Sequence, residues 1–149
     1  MPSWYLLHPA WVHFPIAMLS VGLGAALWRE ARGRPEWLEE AANWLLWFGA
    51  AAAWVGVALG QLAEETAPHV PSAWRTLNTH EALAYWSAGL FSVLSAWRIA
   101  MRRGWVPRTK GWRSLFVAAW IVAWGVLLVT AFHGGELVFT HGMGVRRPD

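Results

Sequence analysis

Long stretches without charged residues alternate along the chain with short connections that carry almost all of the charge. The uncharged stretches cover residues 9–28, 41–63, 82–97 and 114–135. A helix that crosses the hydrocarbon layer of a bilayer needs about 20 apolar residues. Three of the stretches reach that length, and the third along the chain is slightly short. The pattern therefore predicts four transmembrane helices, over residues 9–28, 41–63, 80–101 and 114–135.

Composition agrees with a membrane protein. Hydrophobic residues make up 56% of the 149 residues and charged residues only 14%, whereas soluble domains contain about 25% charged residues. The N-terminal Met-Pro-Ser-Trp lacks the positive charge of a signal peptide, so we expect the first span to remain in the mature protein. We predict an all-α integral membrane four-helix bundle with up-down-up-down connectivity, as a single domain over residues 1–149.

Positive charge is concentrated in the connections after the first and third predicted helices. Nine of the twelve lysines and arginines lie there: Arg29, Arg32, Arg34, Arg98, Arg102, Arg103, Arg108, Lys110 and Arg113. Positively charged connections are retained in the cytoplasm. We therefore predict a multi-pass protein of the bacterial inner (cytoplasmic) membrane with both termini outside. The basic residues then reflect topology, and nucleic-acid binding is not expected.

Histidine is concentrated at the opposite, predicted outer end. All six histidines fall there: His8, His13, His69, His80, His133 and His141. Ionisable side chains in transmembrane helices generally face the bundle interior, where they find partners. His13 shares a helix face with Ala17, Ser20 and Gly24, and His80 shares one with Ala84 and Ser87, which predicts that both point inward. Glu81 or Glu136 could orient an imidazole by accepting its second N–H.

The depths of these histidines predict how they pair. His13 and His80 are expected at similar depth on different helices and form the first candidate pair of ligands. His8 and His141 form a second pair or alternates. His133 lines up with a face of branched aliphatic residues and is a weaker candidate for a ligand. His69 is expected in a solvated loop.

Glycines on the second predicted helix form a stripe. Gly49, Gly56 and Gly60 share one side, opposite Trp44, Trp47 and Trp54. Small residues allow backbones or planar groups to come close. Gly56 and Gly60 are therefore candidates either for tight helix packing or for a surface that faces a cofactor.

The residue types limit the chemistry. Without cysteine, the chain has no disulfide, no thiolate metal site and no covalent haem attachment. Imidazoles from different helices can ligate haem iron, copper or zinc. No motif of a hydrolase or of a phosphate-binding loop is present. The candidates that remain are a haem b protein, a copper or zinc protein, and a non-redox structural or assembly subunit.

Both ends of the chain resemble a known family. The segments His-Pro-Ala-Trp-Val-His-Phe-Pro-Ile-Ala (residues 8–17) and Gly-Gly-Glu-Leu-Val-Phe-Thr-His-Gly-Met-Gly-Val (residues 134–145) resemble the signature ends of domain of unknown function 2231, a family of small bacterial four-span membrane proteins. His80 stands where the family has the histidine that opens its third span, and Phe139 replaces its more frequent tyrosine. The resemblance emphasises His8, His13, His80 and His141. The family looks akin to small membrane b-type cytochromes, and its members can be joined to c-type cytochrome modules, so the resemblance implies redox work.

Together, these features predict a haem b-binding electron-transfer protein or cytochrome subunit with a histidine-ligated site near the non-cytoplasmic face. Because the inner half of the bundle has no histidine, the chain alone does not predict a two-haem path across the bilayer. Quinone or an external c-type cytochrome is the expected redox partner. A homo-oligomer and a subunit of a larger membrane complex are both compatible with the sequence.

Overall fold

A computed structural model describes residues 4–33, 35–68 and 70–145, and all regular secondary structure within them is helical. A short helix α1 (Leu7–Trp11) precedes four long helices, α2 (His13–Arg32), α3 (Trp37–Thr66), α4 (Trp74–Arg102) and α5 (Lys110–Phe139). The prediction of an all-α fold with four long helices is confirmed. His69, Arg34 and the two arginines of the C-terminal tail lie outside the described residues.

Local sequence signals explain where the long helices begin and end. α2 ends at Gly33, whose φ of 71° lies in the left-handed region and whose N–H donates to the Arg29 carbonyl. α5 begins after Thr109, whose side chain accepts a hydrogen bond from the Trp112 backbone N–H. The resulting connections are short, so helices that follow each other in sequence pack side by side.

The bundle consists of two helical hairpins. The largest interfaces join α2 to α3 and α4 to α5, and smaller interfaces join the first hairpin to the second. Leu19, Leu46, Phe91 and Trp120, one from each long helix, are at most 1% exposed and form the centre of the core. Because all four helices supply this core, it fixes the position of one hairpin against the other.

The outer surface of the bundle is apolar. The helical segments Trp4–Arg32, Trp37–Thr66 and Lys110–Phe139 are long and apolar enough to cross a membrane, whereas α4 is more polar and is not among these candidates. Two of the polar residues of α4, Ser87 and Arg98, are buried. Large apolar side chains such as Val93, Val122 and Phe132 are more than 60% exposed. Soluble monomers rarely leave so much apolar surface uncovered, so this exterior suits contact with lipid.

Gly49 provides a test of the α2–α3 packing. A Cβ atom at this position would lie 2.7 Å from Cγ and Cδ2 of Leu19, whereas a Cβ at Gly89 in α4 would meet nothing within 4 Å. Gly49→Ala is expected to lower the free energy of unfolding by about 1–3 kcal/mol through overpacking. Gly89→Ala should raise it by about 0.5–1 kcal/mol, because alanine favours the helix. Unfolding of the detergent-purified protein with increasing dodecyl sulfate measures both changes, and equal effects would contradict the packing described.

Candidate cofactor site

Two histidines from different hairpins meet at one end of the bundle. His8 lies in α1, which leads into the first hairpin, and His80 lies in α4 of the second. Their ring centroids are 6.1 Å apart and their planes are nearly perpendicular, at 85°. Both side chains are half-buried. The pair therefore bridges the interface between the two hairpins.

Each of these imidazoles is anchored by a backbone carbonyl of the neighbouring helix. His8 Nδ1 donates to the Gly56 carbonyl of α3 at 2.9 Å, and His80 Nδ1 donates to the Thr130 carbonyl of α5, also at 2.9 Å. A carbonyl can only accept, so Nδ1 carries the proton and the lone pair of a neutral ring lies on Nε2. This is the arrangement in which histidine generally ligates a metal.

Glycine gives each ring the room to reach its carbonyl. A Cβ atom at Gly60 would lie 3.2 Å from His8 Cε1, and a Cβ at Gly134 would lie 3.0 Å from His80 Cε1. Each glycine stands one helical turn after the carbonyl that anchors the ring. A side chain at either position would crowd the imidazole and force it to shift. Of the predicted glycine pair, Gly60 thus contacts a histidine, whereas Gly56 supplies a carbonyl and packs near Trp11 and Val12.

The two hairpins repeat the same local arrangement of histidine, carbonyl and glycine. His80 follows His8 by 72 positions, and Thr130 and Gly134 follow Gly56 and Gly60 by 74 positions. Helical periodicity places Thr130 and Gly134 on the small, inward face that His141 would share, but it does not connect them with His80. The signal that could have found them is this near-equal spacing, which indicates a repeated hairpin.

Backbone carbonyls, not carboxylates, accept the Nδ1 hydrogen bonds of the pair. Glu81 accepts a hydrogen bond from Gln61 at 2.6 Å, and Glu136 lies 3.2 Å from His133 Nδ1. Glu136 thus orients the His133 imidazole, as expected of one of the two acids, whereas backbone carbonyls accept from Nδ1 of His8 and His80. Thr130 also binds Ser87 through their buried hydroxyl groups at 3.0 Å, which ties α4 to α5 below His80.

His13 does not lie where the sequence analysis expected it. Its side chain is exposed, as are Ala17 and Gly24 on the same face. The reason is helical phase, because His8 and His13 are five residues apart and, at about 100° per residue, diverge by about 140°. Once His8 faces the other hairpin, His13 must face outward. The structure thus brings His8, not His13, next to His80.

The other two described histidines lie near the pair but have partners of their own. α5 continues past its paired glycines to Phe139, and His141 follows in a turn. His141 Nε2 is 3.4 Å from the hydroxyl of Thr76, one helical turn before His80. His133 is engaged with Glu136. His141 therefore occupies an outer level beyond His80.

The described residues offer no multi-ligand metal site. Within residues 4–33, 35–68 and 70–145, no three or more His, Asp or Glu side chains are grouped so that they could hold a metal ion. A zinc site usually takes three or four protein ligands. The donor set at this end is thus a pair of imidazoles.

Comparison with known proteins agrees with the family resemblance at the ends of the chain. No curated protein and no solved structure matches the chain. The model of one protein family, described as Predicted membrane protein (DUF2231), matches residues 6–147. That match includes both signature ends, all four long helices and the His8–His80 pair, and the chain therefore belongs to the DUF2231 family of predicted membrane proteins.

Proposed function

We propose that this protein crosses the bacterial inner membrane four times, up-down-up-down, with both termini outside. Three helical segments are apolar enough to span, and α4 is packed between α3 and α5 with polar residues such as Ser87 and Arg98 turned into the bundle. The arginine-rich connections lie at the opposite end from the His8–His80 pair, which supports an outward location for the histidines.

We further propose that the protein binds haem b between His8 and His80. The observation that carries this proposal is the 6.1 Å separation of two imidazoles that are each held through Nδ1. Two imidazoles that ligate one metal from opposite sides, with metal–nitrogen bonds of about 2.1 Å, have ring centroids roughly 6 Å apart. The centroid spacing therefore fits two imidazoles that would hold one iron between them.

A pair of protein ligands favours haem over copper or zinc. A macrocycle supplies four ligands to its own iron, so two histidines complete the coordination. Zinc needs three or four ligands from the protein, and the described residues do not group a third acidic or imidazole side chain with the pair.

The chain's own contribution is to hold and orient the two ligands. When bound, haem supplies one-electron oxidation and reduction. The Gly56 and Thr130 carbonyls fix the ring orientations and increase the basicity of Nε2. Gly60 and Gly134 keep both rings in place. Because the site lies near one end, the protein would exchange electrons with quinone or with an external c-type cytochrome.

An absorption spectrum of the detergent-purified protein, oxidised and then reduced, tests the proposal. We expect a Soret band that shifts on reduction and about one haem per chain. Elemental analysis of the same sample should give iron in equal amount. Stoichiometric copper or zinc without haem would instead select a metal-binding protein, and a protein without either, from cells supplied with haem, would favour a structural or assembly subunit.

A further inference from the structure

A small cavity lies at the arginine-rich end of the bundle, far from the histidines. Its volume is about 90 Å³, and residues from all four long helices line it. A water molecule occupies about 30 Å³ in the liquid, so the cavity has room for about three waters or one phosphate group. Its polar lining consists of Arg29, Glu30, Glu39, Asn43, Arg98 and Arg113, with the indole of Trp120 beside them.

Unpartnered hydrogen-bond donors converge on this cavity. Among the described residues, six buried side-chain nitrogen or oxygen atoms have no hydrogen-bond partner, and four of them belong to residues that line this one cavity. Two of these four, Arg29 Nε and Arg113 Nε, lie 3.7 Å and 3.5 Å from a carboxylate oxygen of Glu39 and of Glu30, which makes an ion pair but no hydrogen bond. The other two, Asn43 Nδ2 and Trp120 Nε1, have neither. All four are N–H donors. Asn43 and Trp120 are only 2% and 1% exposed, so bulk water does not satisfy them.

The direction of the Asn43 amide is fixed by its neighbour. The Arg98 Nε–H donates to Asn43 Oδ1. Because arginine can only donate, the amide oxygen must face Arg98, and the Nδ2 group must face elsewhere. Exchanging the oxygen and nitrogen of the Asn43 amide would break this hydrogen bond, so the group without a partner is the Nδ2 donor.

The two carboxylates of the cavity are already engaged by arginines. Glu39 binds Arg98 at 2.8 Å and Arg108 at 2.7 Å, and Glu30 lies 3.5 Å from Arg113. The cavity has two carboxylates but four neighbouring arginines, because Arg108 binds Glu39 in addition to the three arginines of the lining. The cavity thus has an excess of positive charge as well as an excess of donors.

We propose that this cavity binds a phosphate group. Arginine, amide and indole N–H donors match the acceptor oxygens of a phosphate, and the excess positive charge matches its negative charge. The phosphate can belong to a phospholipid headgroup, since the site lies at one end of a membrane bundle, or to a free phosphate. The site is independent of the histidine pair and of the haem proposed there.

Thermal unfolding of the detergent-purified full chain tests the site. The unfolding midpoint is measured against increasing sodium phosphate, and in a second arm against short-chain phosphatidylglycerol, with sodium chloride at equal ionic strength as the reference. We expect a saturable rise in the midpoint with at least one phosphate probe. A response to phosphatidylglycerol alone would identify a lipid headgroup, and a response to both would show that a free phosphate suffices.

Matched variants locate the effect. Trp120→Phe removes one unpartnered N–H and should weaken phosphate binding about tenfold to a hundredfold. It should also lower the stability without phosphate, because Trp120 is a core residue and the smaller phenyl ring leaves a void. The rise in the midpoint with phosphate is therefore measured from each variant's own phosphate-free midpoint. Trp124→Phe, in the same helix, removes an indole N–H that donates to Ser20 at 2.9 Å and should not alter phosphate affinity.

A second pair keeps the test decisive if Trp120→Phe folds poorly. Arg113→Gln removes a donor that lines the cavity, and Arg103→Gln removes the same charge from an exposed residue that does not line it. Only Arg113→Gln should weaken the response to phosphate. If neither probe exceeds chloride, or if both members of each pair respond equally, the cavity holds water alone and the proposal is overturned.

Discussion

Replacing either His8 or His80 by alanine is expected to remove bound haem from the purified protein. In the proposed site each histidine would supply one of the two nitrogens that hold the haem iron, and the described residues place no other imidazole ring against either of them. Haem content per chain, from the Soret absorbance and a pyridine extract, should fall by more than about tenfold in each variant. Added imidazole should restore part of the absorbance, because it can replace the missing ligand.

His13→Ala is the matched control. It changes the same residue type five positions from His8, but its side chain is exposed on another face of the helix. We expect His13→Ala to retain full haem content, and His141→Ala to retain most of it. Loss of haem in His13→Ala with retention in His8→Ala would restore the pairing of His13 with His80 and contradict the structure.

Glu39→Gln is expected to destabilise the arginine-rich end of the bundle by about 3 kcal/mol. Glu39 accepts hydrogen bonds from Arg98 and Arg108 and lies 3.7 Å from Arg29. Neutralising it leaves the buried Arg98 beside two like charges, and removing one partner of a buried ion pair generally costs about 3–5 kcal/mol. Unfolding by dodecyl sulfate in phosphate-free buffer measures the change.

Glu40→Gln separates this effect from a general loss of surface charge. Glu40 is the next residue of α3, and its ion pair with Arg102 is exposed on both sides. Exposed ion pairs contribute about 0–1 kcal/mol, so Glu40→Gln should have little effect. Similar losses for the two variants would show that Glu39 does not hold a buried network.

The long helices could be predicted from the sequence because each one depends on local features. Uncharged stretches predicted all four, although the third stretch is slightly short, and residues 41–63, 80–101 and 114–135 lie within α3, α4 and α5. Apolar length is a property of each segment by itself. The N-terminal region was harder, since the helical segment begins before residue 9 and is interrupted at Val12, between α1 and α2.

The choice between His8 and His13 could not be made correctly from helical periodicity. Periodicity puts His13 on a face of small residues and favours it as the inward histidine, whereas Trp11 and Val12 follow His8 one helical turn later. The rotation of the first helix is set by contacts distant in sequence, such as Trp11 Nε1 donating to the Ala52 carbonyl at 2.9 Å and His8 packing against Gly60. Such contacts depend on tertiary packing, which a single segment does not encode.

The roles of the arginines in the connections could also be predicted only in part from the sequence. The sequence analysis interpreted Arg29, Arg98 and Arg113 as signals of membrane topology. In the structure the same residues also line a cavity and engage Glu30 and Glu39. Glu39 and Arg98 are 59 positions apart, so their pairing becomes visible only when the hairpins pack together.

Electron paramagnetic resonance of the oxidised, detergent-purified protein tests the central claim most directly, because the signal reports the axial ligands of the iron. If His8 and His80 hold one haem between the two hairpins, the wild type should give the low-spin ferric signal of two imidazole ligands. His8→Ala and His80→Ala should lose that signal, and His13→Ala should keep it. A high-spin ferric signal in the wild type, a copper signal, or a low-spin signal that survives both alanine replacements would contradict the account.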